Sequence, residues 1–66
     1  MNRFKPGDLV TCIFSEEIIQ PMRIVGPNLW YGSNSGVYYV VGKHRRNGNE
    51  VTITLTESVL KEYVDP

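Results

Sequence analysis

The stretch that decides the fold is VYYVVGKHRRNGNEVTITLT, residues 37–56. Its second part alternates strictly, with Val51, Ile53 and Leu55 on one face and Thr52, Thr54 and Thr56 on the other. A period of two is the mark of a half-buried strand with one wet face. VYYVVGKH, residues 37–44, is rich in β-branched and aromatic side chains that suit a pleated surface. Asn47-Gly48 between the two runs is the strongest short-range hairpin signal, because both residues tolerate the positive φ of a type I′ turn. A two-residue loop pairs Arg46 with Asn49, and the ladder follows from there. Arg45 then faces Glu50, Lys43 faces Thr52, Val41 faces Thr54 and Tyr39 faces Thr56. On the other side His44 faces Val51, Gly42 faces Ile53 and Val40 faces Leu55.

This register divides the basic run Lys43–Arg46 between two faces. The core side takes Tyr38, Val40 and Gly42 with the apolar residues of the second strand, and His44 lies at its margin. The wet side takes Tyr39, Val41, Lys43 and Arg45. An Arg45–Glu50 pair across the strands is worth roughly 0.2–1 kcal/mol. The wet row has three possible uses: a solvated face with lysine stems over apolar surface, a dock for an acidic peptide, or a site that stacks on a base and grips phosphate.

Working outward, turn residues separate further short β-prone segments, the pattern of an all-β barrel or sandwich. KPGD, residues 5–8, reads as a type II turn, with φ preset by Pro6 and positive φ accepted by Gly7. A first strand follows over Leu9–Phe14, SEEIIQ reads as loop, and PMRIVG, residues 21–26, makes a second strand. After the hairpin, ESVLKEYV is too short for a stable helix. It reads as a 3₁₀ turn and a brief closing strand at residues 62–64. The expected core is Val10, Cys12, Phe14, Met22, Ile24, Val40, Val51, Ile53, Leu55 and Leu60. The sum is a small SH3-like barrel of about five strands, with residues 1–66 as a single domain.

The order F-K-P-G-D-L-V, then P-M-R-I-V-G, an aromatic-rich strand, and T-L-T-E-S-V-L-K-E-Y-V resembles the YodC-like family of small bacterial proteins. The chain departs from that pattern in a longer connection from Pro27 to Gly36 and in a tryptophan placed early, at Trp30. Gly7-Asp8-Leu9-Val10 is also similar to the opening strand of KOW- and Tudor-type modules. These resemblances imply a fold and a binding role, and they name no ligand.

Composition narrows the classes of function. Seven Lys plus Arg balance seven Asp plus Glu, whereas a dedicated nucleic-acid binder usually carries a basic domain. Cys12 is the only cysteine and His44 the only histidine, so no Cys- or His-rich metal site is expected, nor any cofactor. Cys12 sits in an apolar strand pattern and reads as a buried thiol rather than a nucleophile. Glu16-Glu17 reads as a solvated acidic turn rather than an acid–base pair. No glycine pattern fits a phosphate-binding loop. The chain is therefore expected not to be an enzyme. A lone thiol suits a reducing compartment. MNRFKPGDLV has no signal-like apolar run, and no stretch approaches the roughly 18 residues of a membrane span. A cytoplasmic protein without membrane association is expected.

NLWYGSNSG, residues 28–36, holds the other candidate site. Trp30 and Tyr31 could line a peptide groove near the acidic Glu16-Glu17 turn, cap an open end of a thin core, or make a homodimer contact. The leading expectation is a binding module for a protein or peptide partner, acting through Trp30, Tyr31 and Tyr39. The alternatives are weak nucleic-acid binding through Lys43, Arg45 and Arg46 with Arg3 and Lys5, and a self-associating structural subunit.

Overall fold

The computed structural model of the protein describes residues 3–64. Among these residues five strands are present: β1 (Leu9–Cys12), β2 (Ile18–Pro27), β3 (Val37–His44), β4 (Glu50–Thr56) and β5 (Leu60–Glu62). They form one antiparallel sheet in the order β4-β3-β2-β1-β5, open between β4 and β5. Two single 3₁₀ turns, Leu29–Tyr31 and Glu57–Val59, complete the regular structure. The fold is all-β.

The expected Lys5–Asp8 turn is present. Asp8 N–H donates to the Lys5 carbonyl at 3.0 Å, and Gly7 has φ +92°, the positive value that type II geometry requires at its third position. The Asp8 side chain closes the same turn by accepting from Lys5 N–H at 2.9 Å. β1 then starts as expected and stops earlier. Ser15 N–H donates to the Cys12 carbonyl and Ile18 N–H to the Ser15 carbonyl, so the chain reverses directly after Cys12. Phe14 is thereby turned out of the expected core and is 75% exposed. The Gln20 side chain fixes this reversal, accepting from Cys12 N–H and donating to the carbonyls of Ser15 and Ile18. SEEIIQ is correspondingly not all loop. Ile18 and Ile19 pair with His44 and Lys43, and Ile18 is buried.

β2 bends twice against β3. Gln20, Pro21 and Met22 stand opposite Gly42 alone, and Val25 has no partner on β3. Proline is tolerated in such a bulge because no ladder hydrogen bond is asked of its nitrogen; the Gln20–Pro21 peptide is cis. The bend lays Ile18 and Met22 onto Gly42. A Cβ there would lie 2.5 Å from the Ile18 Cγ2 methyl and 3.0 Å from Met22 Cγ.

The β3–β4 hairpin differs from the expected one in its loop. Gly48 has φ +72°, but no residue other than glycine has positive φ among those described, which excludes a type I′ turn at Asn47-Gly48. Gly48 N–H instead donates to the His44 carbonyl, and His44 N–H to the Asn49 carbonyl. The loop is thus Arg45–Gly48, and the ladder is displaced by two residues: Lys43 faces Glu50, Val41 faces Thr52 and Tyr39 faces Thr54. The expected Arg45–Glu50 pair does not form. A shift of two preserves side-chain parity, whereas a shift of one would exchange the faces. The two faces are therefore those read from the sequence.

The core consists of Phe4, Val10, Cys12, Ile18, Met22, Ile24, Tyr38, Val40 and Leu60, with Val51, Ile53, Leu55 and Val59 half-buried against it. Tyr38 is 0% exposed. Its hydroxyl accepts from Arg3 N–H at 2.9 Å and Phe4 N–H at 3.1 Å, and donates to Glu57 Oε2 at 3.0 Å. The last strand lies over Leu60–Glu62, two residues before its expected start, and pairs Leu60 with Cys12.

Two substitutions separate this core from the expected one. Phe14→Ala should change unfolding free energy by no more than about 0.5 kcal/mol, as at an exposed site, against about 3–5 kcal/mol for a core phenylalanine. Gly42→Ala should cost about 1–3 kcal/mol through overpacking. Urea unfolding of both variants checks the pair.

Candidate functional site

A buried asparagine organises the turn that carries Trp30, the most exposed aromatic residue of the protein. β2 ends at Pro27, and Asn28 follows, still bonded to β3 through its N–H to the Val37 carbonyl at 2.8 Å. Its side chain is only 6% exposed in its surroundings. Asn28 Oδ1 accepts from Trp30 N–H at 3.1 Å, while Nδ2 donates to Thr54 Oγ1 on β4 at 3.2 Å. The first bond is a side-chain cap on a helical turn. The second ties that turn across β3 to the far strand. Tyr31 N–H to the Asn28 carbonyl and Gly32 N–H to the Leu29 carbonyl close the Leu29–Tyr31 turn.

On this fixed backbone the side chains point outward. Trp30 is 89% exposed, and Leu29 and Tyr31 are exposed beside it. Trp30 does not cap an open end of the core. Tyr39 belongs to the same end of the outer sheet face, since it stands directly across from Thr54, the residue that Asn28 holds. Asn28 thus links the turn that carries Trp30 and Tyr31 to the residue facing Tyr39. Leu29 was not expected there. Its signal in the sequence is an unbroken apolar run, Leu29-Trp30-Tyr31, closed on both sides by Asn28 and Gly32.

The candidate basic site divides. Lys43 lies on the outer face opposite Glu50 and beside Ile19. Arg45 leaves the sheet and binds the acidic turn through its backbone: its N–H donates to the Glu17 carbonyl at 2.7 Å, and Nε to the Glu16 carbonyl at 3.1 Å. His44 is half-buried at the same place, with Nε2 3.6 Å from Glu17 Oε2. Its Nδ1 accepts from the N–H of Arg46, whose side chain is exposed. Arg3 and Lys5 lie elsewhere. The Arg3 guanidinium is 5.1 Å from the Phe4 ring centre, and the Arg3 backbone is bound to Tyr38. Tyr38 and Lys43 are about 16 Å apart along β3 at the usual strand rise. The five basic residues therefore form no single surface.

The outer sheet face carries one feature without a sequence signal. Leu9, Ile19 and Val41 border a shallow groove with Pro21 and Arg23. Val41 is on the wet face read from the sequence, whereas Ile19, Pro21 and Arg23 join it only through the bulges of β2. Among the described residues no group of three or more His, Cys, Asp or Glu converges as a metal site. Among the same residues no helix is long and apolar enough to cross a membrane.

Comparison with family models, curated proteins and solved structures finds no match to this chain.

Asn28→Ala should cost about 0.5–2 kcal/mol, the usual loss on removing a side-chain cap. It should also speed amide hydrogen exchange at Trp30 and Tyr31 beyond the change in global stability. Exchange followed by NMR separates the local effect from the global one.

Proposed function

We propose that the protein is a small non-enzymatic binding module of SH3-like architecture that docks a protein or peptide partner through Trp30, Tyr31 and Tyr39, with Leu29 beside them. One observation carries the reading: Trp30 is 89% exposed on a turn whose backbone is held by a buried asparagine. Exposing an indole forgoes the burial that a small domain needs most. A backbone fixed in advance lowers the ordering cost of binding, and tryptophan and tyrosine dominate the energetic centres of protein interfaces.

Strand order and connectivity support the SH3-like part. β2 is long and bent, shared between β1 and β3, and a 3₁₀ turn leads into a short last strand beside β1. The resemblance to the YodC-like family agrees with the same architecture. A cytoplasmic setting fits a lone, buried thiol at Cys12. Nucleic-acid binding has less support, because Arg45 is engaged by the Glu16-Glu17 turn and Arg3 and Lys5 stand apart from Lys43.

The immobilised protein should capture a partner from host lysate, with nuclease present, and Trp30→Ala should abolish capture. Trp30→Ala should shift the unfolding free energy by no more than about 0.5 kcal/mol. Capture that survives Trp30→Ala, or that nuclease removes, contradicts the reading.

A further inference from the structure

The two edges of the open sheet are unlike. β5 has three residues, including Lys61 and Glu62, the short and charged kind that resists further pairing. β4 has seven residues and carries no proline, lysine or bulge. Its free backbone groups follow from the register. His44 N–H donates to the Asn49 carbonyl and Glu57 N–H to the Gly36 carbonyl, both at 2.8 Å. Hydrogen-bonded and non-bonded pairs alternate in an antiparallel ladder, so Val51, Ile53 and Leu55 turn their backbone groups toward β3. Glu50, Thr52, Thr54 and Thr56 turn theirs outward. An open hollow adjoins this strand, where exposed Ile13 and Phe14 meet Ile18 and half-buried Ile53, with Ser15, Glu16 and Glu17 completing the polar side of its lining.

We propose that the β4 edge pairs with the β4 edge of a second copy of this chain, antiparallel and two-fold symmetric about Ile53. The register is self-consistent. Thr52 stands opposite Thr54 of the partner subunit, and both have outward backbone groups, so each such pair exchanges two hydrogen bonds. Ile53 meets Ile53 of the partner subunit in a non-bonded pair, where side chains approach most closely. Residues directly opposite share a face, so Ile53 of the partner subunit enters the hollow at Ile13 and Phe14, and the reverse holds by symmetry.

Charge and length both favour this axis. Glu50 is the one charged residue of β4 and already faces Lys43 within its own chain. Across the two-fold it meets Thr56 rather than a second carboxylate, which avoids the penalty of like charges directly opposed. Centring on Ile53 uses all seven residues of β4, Glu50–Thr56. An axis at Thr52 or Thr54 would leave only residues 50–54 or 52–56 paired. This contact is separate from docking through Trp30, and either stands without the other.

Sedimentation of the full chain from micromolar to millimolar concentration should show a shift from monomer to dimer mass. Over the same range the amides of Thr52 and Thr54 should become protected from hydrogen exchange, while that of Lys61 should not change. Thr52→Pro deletes an N–H that the monomer leaves unused and should restore the monomer. If that variant does not fold, T52K/T54K sets like charges opposite one another across the two-fold and should do the same. A chain that stays monomeric throughout overturns the proposal, as does a dimer in which Thr52 and Thr54 exchange freely. Protection of those amides only on adding a different protein overturns the second copy as occupant.

Discussion

The rest of the structure depends on one buried hydroxyl. Tyr38 is buried near the start of β3 with its ring edge-on to Phe4, centroids 5.7 Å apart, and its oxygen is fully used. It accepts from two backbone N–H groups at the start of the chain and donates to Glu57 just before the last strand. The sheet leaves a gap between β4 and β5, and Glu57 lies on the turn that joins those two strands. The hydroxyl ties that turn both to β3 and to the backbone of Arg3 and Phe4. In a domain this small the apolar core leaves little margin, and a buried polar network that is fully satisfied rigidifies the fold, whereas a half-satisfied one weakens it. Glu57 is held a second time by its N–H to the Gly36 carbonyl at 2.8 Å, so the carboxylate approaches Tyr38 from a fixed backbone.

β2 connects that tie to the candidate site. Its bend at Gln20–Met22 exists because Gly42 offers no side chain to the strand crossing it. The bend buries Ile18 and Met22 and delivers Asn28 to the end of the sheet. From there one side chain caps the Trp30 turn and reaches Thr54. The exposed aromatic residues thus stand on a rigid scaffold rather than on a loose loop, as binding residues commonly do. At the opposite end, the acidic turn occupies Arg45, so the hairpin tip contributes to the fold before it contributes to any contact.

Much of the fold was legible because parity survives an error of two residues. The alternation Val51, Ile53, Leu55 assigns faces whichever loop closes the hairpin, and the buried side of β3 followed from it. The loop itself was not legible. Asn-Gly suits a two-residue turn locally, yet Arg45 is drawn out of the ladder by hydrogen bonds to Glu16 and Glu17, nearly thirty residues away. Phe14 continued the apolar pattern of β1, and only the Gln20 side chain, arriving from the next strand, shows why the chain reverses before it. Phe4 was invisible for the same reason, since a short terminal segment is buried by what Tyr38 holds. At the candidate site the residue types were legible and their presentation was not. Trp30 could have covered the core or faced solvent, and the decision lies with Asn28.

The most direct test is a double-mutant cycle on Tyr38→Phe and Glu57→Ala, followed by equilibrium denaturation. If the hydroxyl ties the Glu57 turn to β3, the two substitutions should be non-additive by about 1–3 kcal/mol. Additivity to within about 0.5 kcal/mol, as for independent sites, would contradict that tie.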